Sequence, residues 1–181
     1  MTNQISPQAN VNQNQSQTLP WYALWCIQAH GNQLYGTHPY RVHLEAVAAV
    51  AVRFGFTDEL TAIVCWLHDV LEDVAGQTVQ TLLAAGFSPE AVAAAYALKD
   101  EDGADREERK TKTLPKIAAI RLATIVKLCD RIANVEHGLK EGSKKVAMYQ
   151  HEHPAFKAAL FQADDLQVKP MWDHLDQLLT A

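Results

Sequence analysis

The chain has little that would hold it together covalently. It contains three cysteines, Cys26, Cys65 and Cys129, none in a Cys-x-x-Cys pair and each in an apolar, helix-like context. That pattern argues against a disulfide framework or a thiolate zinc site and leaves reduced core thiols, as expected of a cytosolic protein. Long apolar runs are missing as well. No stretch is both long enough and free enough of interruption to span a bilayer, so no membrane partner is expected. The N-terminus lacks the basic and apolar regions of a secretory signal peptide, so none is expected there. Positive charge is not in excess: 16 Lys and Arg stand against 21 Asp and Glu, giving a formal net charge of −5 and a pI near 5.9. This balance argues against broad nucleic-acid binding through phosphate contacts. It leaves room for a small anionic ligand held by a few local cations. Runs of β-branched residues are few, and neither an internal repeat nor a strand ladder is evident.

What is present reads as helix. Hydrophobic residues make up 48% of the 181 positions, enough for one domain with a sizeable core, and Ala and Leu dominate them. Residues 1–18 differ. They are rich in Asn and Gln and poor in apolar side chains, so they cannot offset their ordering entropy and read as a disordered tail. The folded domain is expected over residues 19–181. Leu19-Pro20-Trp21 opens a first helix that runs to about His30, and residues 31–39 read as a connector. A second helix is expected over about 40–54, with Val42, Ala46, Ala49, Val50 and Phe54 at helical spacing and Gly55 as its stop. Thr57 then reads as the N-cap of a third helix reaching Gly76, with Asp58 and Glu59 in its first turn. Shorter helices follow over 78–85 and 89–99, the latter opened by Ser88-Pro89. Residues 100–105 form an acidic loop. The charged run 106–112 reads either as a solvated face or as a phosphate-contacting or mobile segment. An apolar helical pattern from Lys116 leads through Asn134, and 148–162 and 165–179 read as the last helices. The sum is a single-domain, all-α helical bundle.

The most informative stretch is Trp66-Leu67-His68-Asp69-Val70-Leu71-Glu72-Asp73. It places four metal-binding or proton-carrying side chains within six residues at the end of a greasy helix. Such groups cost free energy when buried unless they are paired or bound to a metal. In a continuous helix His68 and Glu72, and Asp69 and Asp73, would be four apart and share a face. A rigid metal site needs ligands from further elements. His43 shares a helix face with Ala46, Val47 and Val50, and Asp130 sits beside Cys129 in the apolar segment 125–134. His43, His68, Asp69 and Asp130 form a two-His, two-carboxylate set, which suits Mn²⁺, Fe²⁺, Co²⁺, Mg²⁺ or Zn²⁺. An ion there would polarise a phosphoryl group and acidify a water. His151-Glu152-His153 is a weaker candidate for a second metal and reads rather as the opening turn of a helix before Pro154.

His43, His68-Asp69 and Asp130 together resemble the metal-ligand pattern of the HD-domain phosphohydrolases. The extended Leu67-His68-Asp69-Val70-Leu71-Glu72-Asp73 is similar to the HDxxED motif of the alarmone hydrolases, the hydrolase half of the RelA/SpoT family and its small stand-alone members. Gly36-Thr37-His38-Pro39-Tyr40-Arg41-Val42-His43, Val126-Lys127-Leu128-Cys129-Asp130-Arg131-Ile132-Ala133-Asn134 and Ala29-His30-Gly31-Asn32-Gln33 resemble three further segments of that group. The likeness spans about residues 21–161. It implies a bundle of the HD-domain type and Mn²⁺-dependent removal of pyrophosphate from the 3′ position of a guanosine or adenosine polyphosphate, a small anionic nucleotide. It also implies metal ligation by His43, His68, Asp69 and Asp130, water positioning and deprotonation by Glu72 and Asp73, and substrate contacts from Lys127, Arg131, Asn134 and His30.

The chain departs from the family pattern in two places. Leu34 and Tyr35 stand where a longer basic segment is usual, and Val74 follows Glu-Asp where Thr is usual. Base selectivity therefore does not follow from the likeness. A broader HD nucleotidase or phosphatase acting on nucleotides or NADPH, and a non-catalytic nucleotide-binding HD module, stand as alternatives, and the oligomeric state is left open.

Overall fold

The structure, a computed structural model, describes residues 19–180. The tail expected over 1–18 lies outside the described residues. In chain order the elements are α1 (Trp21–His30), β1 (Leu34–Tyr35), β2 (His38–Pro39), α2 (Arg41–Arg53), α3 (Glu59–Leu67), α4 (Val70–Asp73), α5 (Val79–Ala84), α6 (Pro89–Leu98), α7 (Arg106–Ala118), α8 (Arg121–Lys140), α9 (Lys145–Leu160) and α10 (Lys169–Thr180). Helix α8 is the axis. It packs against α2, α3, α6, α7, α9 and α10, and its Val126, Leu128, Cys129, Ile132 and Val135 are fully buried. Trp172 on α10 closes one end of the core against Phe156 and Phe161. The all-α bundle read from the sequence is the observed fold, and no described helix is long and apolar enough to cross a membrane.

Local signals set most of the boundaries. Asp58, not the expected Thr57, caps α3, accepting from the Thr61 backbone N–H at 2.8 Å and from its hydroxyl at 2.8 Å. Ser88 caps α6 with Pro89 in its first turn, and Asp105 caps α7. Gly55, at φ 85°, adopts the left-handed backbone that ends α2. All three cysteines are free and buried.

Five further expectations need correcting. The connector over 31–39 holds a small antiparallel ribbon, Leu34 paired with Pro39 and Tyr35 with His38. Gly36, at φ 60°, opens its two-residue turn, a position where a right-twisted hairpin favours glycine. Two pairs are too short to give an alternating pattern. The expected third helix is broken at His68-Asp69, where Asp69 has φ −102° and ψ −6°. Helix α2 buries His43, Leu44, Val47, Val50 and Ala51, while Val42, Ala46 and Ala49 face outward. Of the readings left open for the run 106–112, the mobile segment gives way, since the run is the first half of α7. Helix α9 begins at Lys145, so Pro154 and the residues before it lie inside the helix rather than at its opening.

The Asp58 cap has a calculable pH signature. Burial works against its charge, but the hydrogen bonds from Thr61 prevail and hold its carboxyl below the ordinary range. A depressed folded-state value makes the contribution full above the unfolded value, about 3.9, and loses it as pH falls through the folded one. Asp58→Ala should cost about 1 kcal/mol at neutral pH. Urea unfolding of the two proteins should show that difference shrinking below about pH 4.

Candidate metal centre and its cleft

Three parts of the fold converge on one point. Helix α2 supplies His43, the α3–α4 break supplies His68 and Asp69, and α8 supplies Asp130. His43 Nε2 lies 3.1 Å from His68 Nε2, and Asp69 Oδ2 lies 2.9 Å from His68 Nε2 and 3.5 Å from His43 Nε2. Asp130 Oδ1 is 3.4 Å from His43 Nε2 and 3.8 Å from His68 Nε2. His43, His68 and Asp69 form the tight triple, their ligand atoms all within 4.8 Å of one another, with Asp130 set slightly back. The break after Leu67 matters here. It turns two adjacent side chains toward one point, which a straight helix would splay by about 100°.

The donor set fits a divalent first-row cation. Nitrogen and oxygen donors about 2.1 Å from a shared ion lie about 3.0–3.4 Å from their neighbours, the spacing seen among most of these atoms. The Nδ1 of His68 points at the Cys65 carbonyl oxygen, 2.8 Å away, which can only accept. That bond puts the proton on Nδ1 and leaves the neutral ring's Nε2 lone pair aimed into the cluster. Burial disfavours charge on His43, yet the hydrogen bonds and charges of Asp130 and Asp69 push its pKa up to about 9. Burial likewise opposes ionisation of Asp69, but His68 and His43 hold it well below the usual carboxylate range. Asp130 is depressed too, against its burial, with Lys127 the largest favourable charge. The two carboxylates thus demand positive charge between the imidazoles, which a divalent cation meets without a proton.

A polar frame holds these ligands. The Tyr40 hydroxyl lies 2.5 Å from Asp69 Oδ2 and 3.0 Å from Asp73 Oδ2, so a single O–H serves both acids. Gln33 Nε2 donates to the same Asp73 oxygen at 2.9 Å, and His30 Nδ1 donates to Gln33 Oε1 at 2.8 Å. On the other side the Tyr35 ring stacks on His43 with centroids 4.7 Å apart, and its hydroxyl donates to Asn134 Oδ1 at 2.8 Å. Asn134 Nδ2 in turn donates to the Asp130 backbone oxygen at 3.0 Å and to its carboxylate. Lys127 Nζ lies 2.9 Å from Asp130 Oδ2.

Glu72 and Asp73 share the neighbourhood but not the environment. Glu72 is partly desolvated, which raises its pKa despite an accepted hydrogen bond from the Asp100 backbone N–H at 3.1 Å. Asp73 is tied to Tyr40 and Gln33. Glu72 keeps a carboxylate open to the cleft, and Asp73 is part of the frame around Asp69.

The site opens into a cleft of about 670 Å³. Its lining includes the acids Asp69, Glu72, Asp73 and Asp130 and the cations Arg106, Lys110, Lys127 and Arg131, with Lys127 paired to Asp130 and Lys110 to Asp100. Asn134 is among the lining residues. His30 is not: it is buried behind Tyr40, stacked on that ring at 4.4 Å. The sequence reading missed Tyr35 and Tyr40 as site residues, and within the run 106–112, left open there as a phosphate-contacting segment, it singled out neither Arg106 nor Lys110. Arg106 and Lys110 carry a usable signal, since their spacing of four puts them on one face of α7. Tyr35 carries none, because its position depends on the ribbon. Glu152 pairs with Arg106, and His153 Nε2 lies 2.7 Å from Asp176, so His151-Glu152-His153 is drawn apart rather than gathered.

No family model matches the sequence, and no curated protein matches it. Among solved structures the fold matches that of a metazoan ortholog of SpoT, described as hydrolysing ppGpp and playing a role in starvation responses. The match has a TM-score of 0.69, covers 88% of this chain and 97% of that one, and shows 21% identity. This chain therefore has the helical fold of that protein.

Tyr40→Phe removes the one donor shared by Asp69 and Asp73. Loss of such a supporting bond should weaken Mn²⁺ binding roughly tenfold or more, read by calorimetric titration of the metal-free protein. An unchanged affinity would show that Tyr40 does not hold the ligand.

Proposed function

We propose that this chain is a metal-dependent phosphohydrolase that acts on nucleotide polyphosphates, and that its reaction removes pyrophosphate from the 3′ position of a guanosine or adenosine polyphosphate, an alarmone. One observation carries the reading. A two-His, two-carboxylate set lies one turn from the Glu72 carboxylate, in a cleft that Arg106, Lys110, Lys127 and Arg131 also line. The fold shared with a ppGpp-hydrolysing protein supports it. His43, His68, Asp69 and Asp130 would hold the metal, with Mn²⁺ as the proposed ion.

A divalent cation in that set supplies Lewis acidity toward a phosphoryl oxygen and acidifies the attacking water. The protein's own groups do the rest. Lys127, Arg106, Lys110 and Arg131 are the cleft-lining cations that take the diphosphate charge. Glu72 accepts the proton of the water as it attacks phosphorus. The bond from phosphorus to the ribose 3′ oxygen breaks, pyrophosphate departs, and the ribose oxygen takes up a proton. Tyr40 and Asp73 keep Asp69 in place through the step. Asn134, fixed by Tyr35, holds Asp130. The three buried thiols suit a reducing compartment, in keeping with a cytoplasmic enzyme.

A broader nucleotidase is the second reading. It is favoured by the ribbon, which presents Leu34 and Tyr35 to the cleft where the resembled family has basic residues. Incubation of the protein and Mn²⁺ with a panel of nucleotides, with chromatographic resolution of products, separates the two. Pyrophosphate released from a 3′-diphosphate is the expected outcome, and orthophosphate released from simple monophosphates would instead favour the broader enzyme. Glu72→Ala combined with Asp73→Ala should lose at least about a hundredfold in turnover, the scale of a general-base contribution, while metal binding weakens no more than in Tyr40→Phe. Full activity in that double variant would sink the mechanism.

A further inference from the structure

A second cavity, of about 420 Å³, lies between α7, α8 and α9. Its volume is within the range of small-molecule sites. The floor is apolar: Leu114, Ile117 and Phe156 are 8%, 1% and 2% exposed. Its inner wall is cationic and is shared with the catalytic cleft, since Arg106, Lys110, Lys127 and Arg131 line both spaces. Arg131 is 3% exposed and sits between the rings of Tyr149 and Phe156, its guanidinium carbon 4.5 and 4.4 Å from their centroids.

Within that wall two guanidinium groups share one acid. Arg106 is hydrogen-bonded to the Glu152 carboxylate, and Arg131 Nη1 lies 3.1 Å from Glu152 Oε2. Arg131 Nη1 is buried, and its contact with Glu152 does not have hydrogen-bond geometry. Lys127 and Lys110 have their own partners, Asp130 and Asp100. The Arg106–Glu152–Arg131 group thus carries one net positive charge beside an apolar floor, with Glu107 on the same lining and a buried Arg131 Nη1 that makes no hydrogen bond. Burying such a charge is costly unless a counter-charge is available.

We propose that this cavity is a second ligand site for a small amphipathic anion, a molecule with an apolar body and one carboxylate or phosphate head. The apolar body lies on Leu114, Ile117 and Phe156, and the head meets Arg131 and Arg106. The occupant draws on the same guanidinium groups that face the catalytic cleft, so it competes for charge with a phosphorylated substrate there. That coupling rests on the function proposed above; the existence of the site does not.

Decanoate and decyl phosphate, with decanol as the uncharged control, test the site in the full chain without recourse to turnover. Met148 lines the cavity and Met171 is fully buried elsewhere, so ¹³C-methyl methionine spectra report on both. Saturable movement of the Met148 signal with either acid, a fixed Met171 signal and at least tenfold weaker binding of decanol are expected. Ala155→Trp and Thr111→Trp, two exposed positions on the cavity's lining, should each abolish the movement. Absence of a saturable Met148 shift, equal binding of decanol, or unchanged binding in both folded variants would overturn the site. If the site binds, the coupling predicts a rise in KM for the nucleotide of roughly fivefold with kcat unchanged. Binding at Met148 with an unchanged KM would overturn the coupling alone.

Discussion

Two imidazole nitrogens face each other at 3.1 Å inside the core, flanked by two carboxylates. Four polar groups in so small a volume are unfavourable by desolvation alone. They persist because each is tied outward by a bond that fixes its direction. His68 is tied to the Cys65 carbonyl, Asp69 to Tyr40, Asp130 to Lys127 and Asn134, and His43 lies flat under Tyr35. Much of the bundle can be understood as support for that point. Helix α8 runs through the middle so that Asp130 can reach it, and α2 packs on α8 with His43 in the contact face.

Most of the fold was legible in the sequence because its signals are local. Asp58, Gly55, Ser88-Pro89 and the apolar spacing of α8 each act within a turn or two of chain. The ligand set was legible for a different reason. Polar residues in otherwise apolar helices have few explanations, and His43, His68-Asp69 and Asp130 stand out against greasy neighbours. The break at His68-Asp69 was not legible, because nothing in Leu67-His68-Asp69-Val70 lacks helix-forming ability. The junction follows from packing, not propensity. The α2 face was misjudged for a related reason: alanines fit either environment, and only the phase set by Leu44 and Val47 decides.

The cations lining the cleft show how far spacing alone reaches. A charged run is usually a solvated face, and about half of α7 is one. Arg106 turns inward because Glu152, distant in sequence on α9, waits there, and Lys110 because Asp100, in the segment just before α7, does. Long-range pairing of this sort leaves no trace in composition. The same pairing makes α7 and α9 a hinge of charge between two cavities.

The Tyr40 hydroxyl has one proton and two acidic claimants. Whatever loosens its hold on Asp73 changes its hold on Asp69, so the ligand set and the group beside the water are not separable parts. Substitutions at Tyr40, Asp69 and Asp73 should be read as one unit rather than summed. For anyone redesigning the cleft, it follows that metal affinity and alignment of the reacting water cannot be tuned independently from this corner of the site. Changes meant to alter only the substrate are better made on the ribbon or on α7.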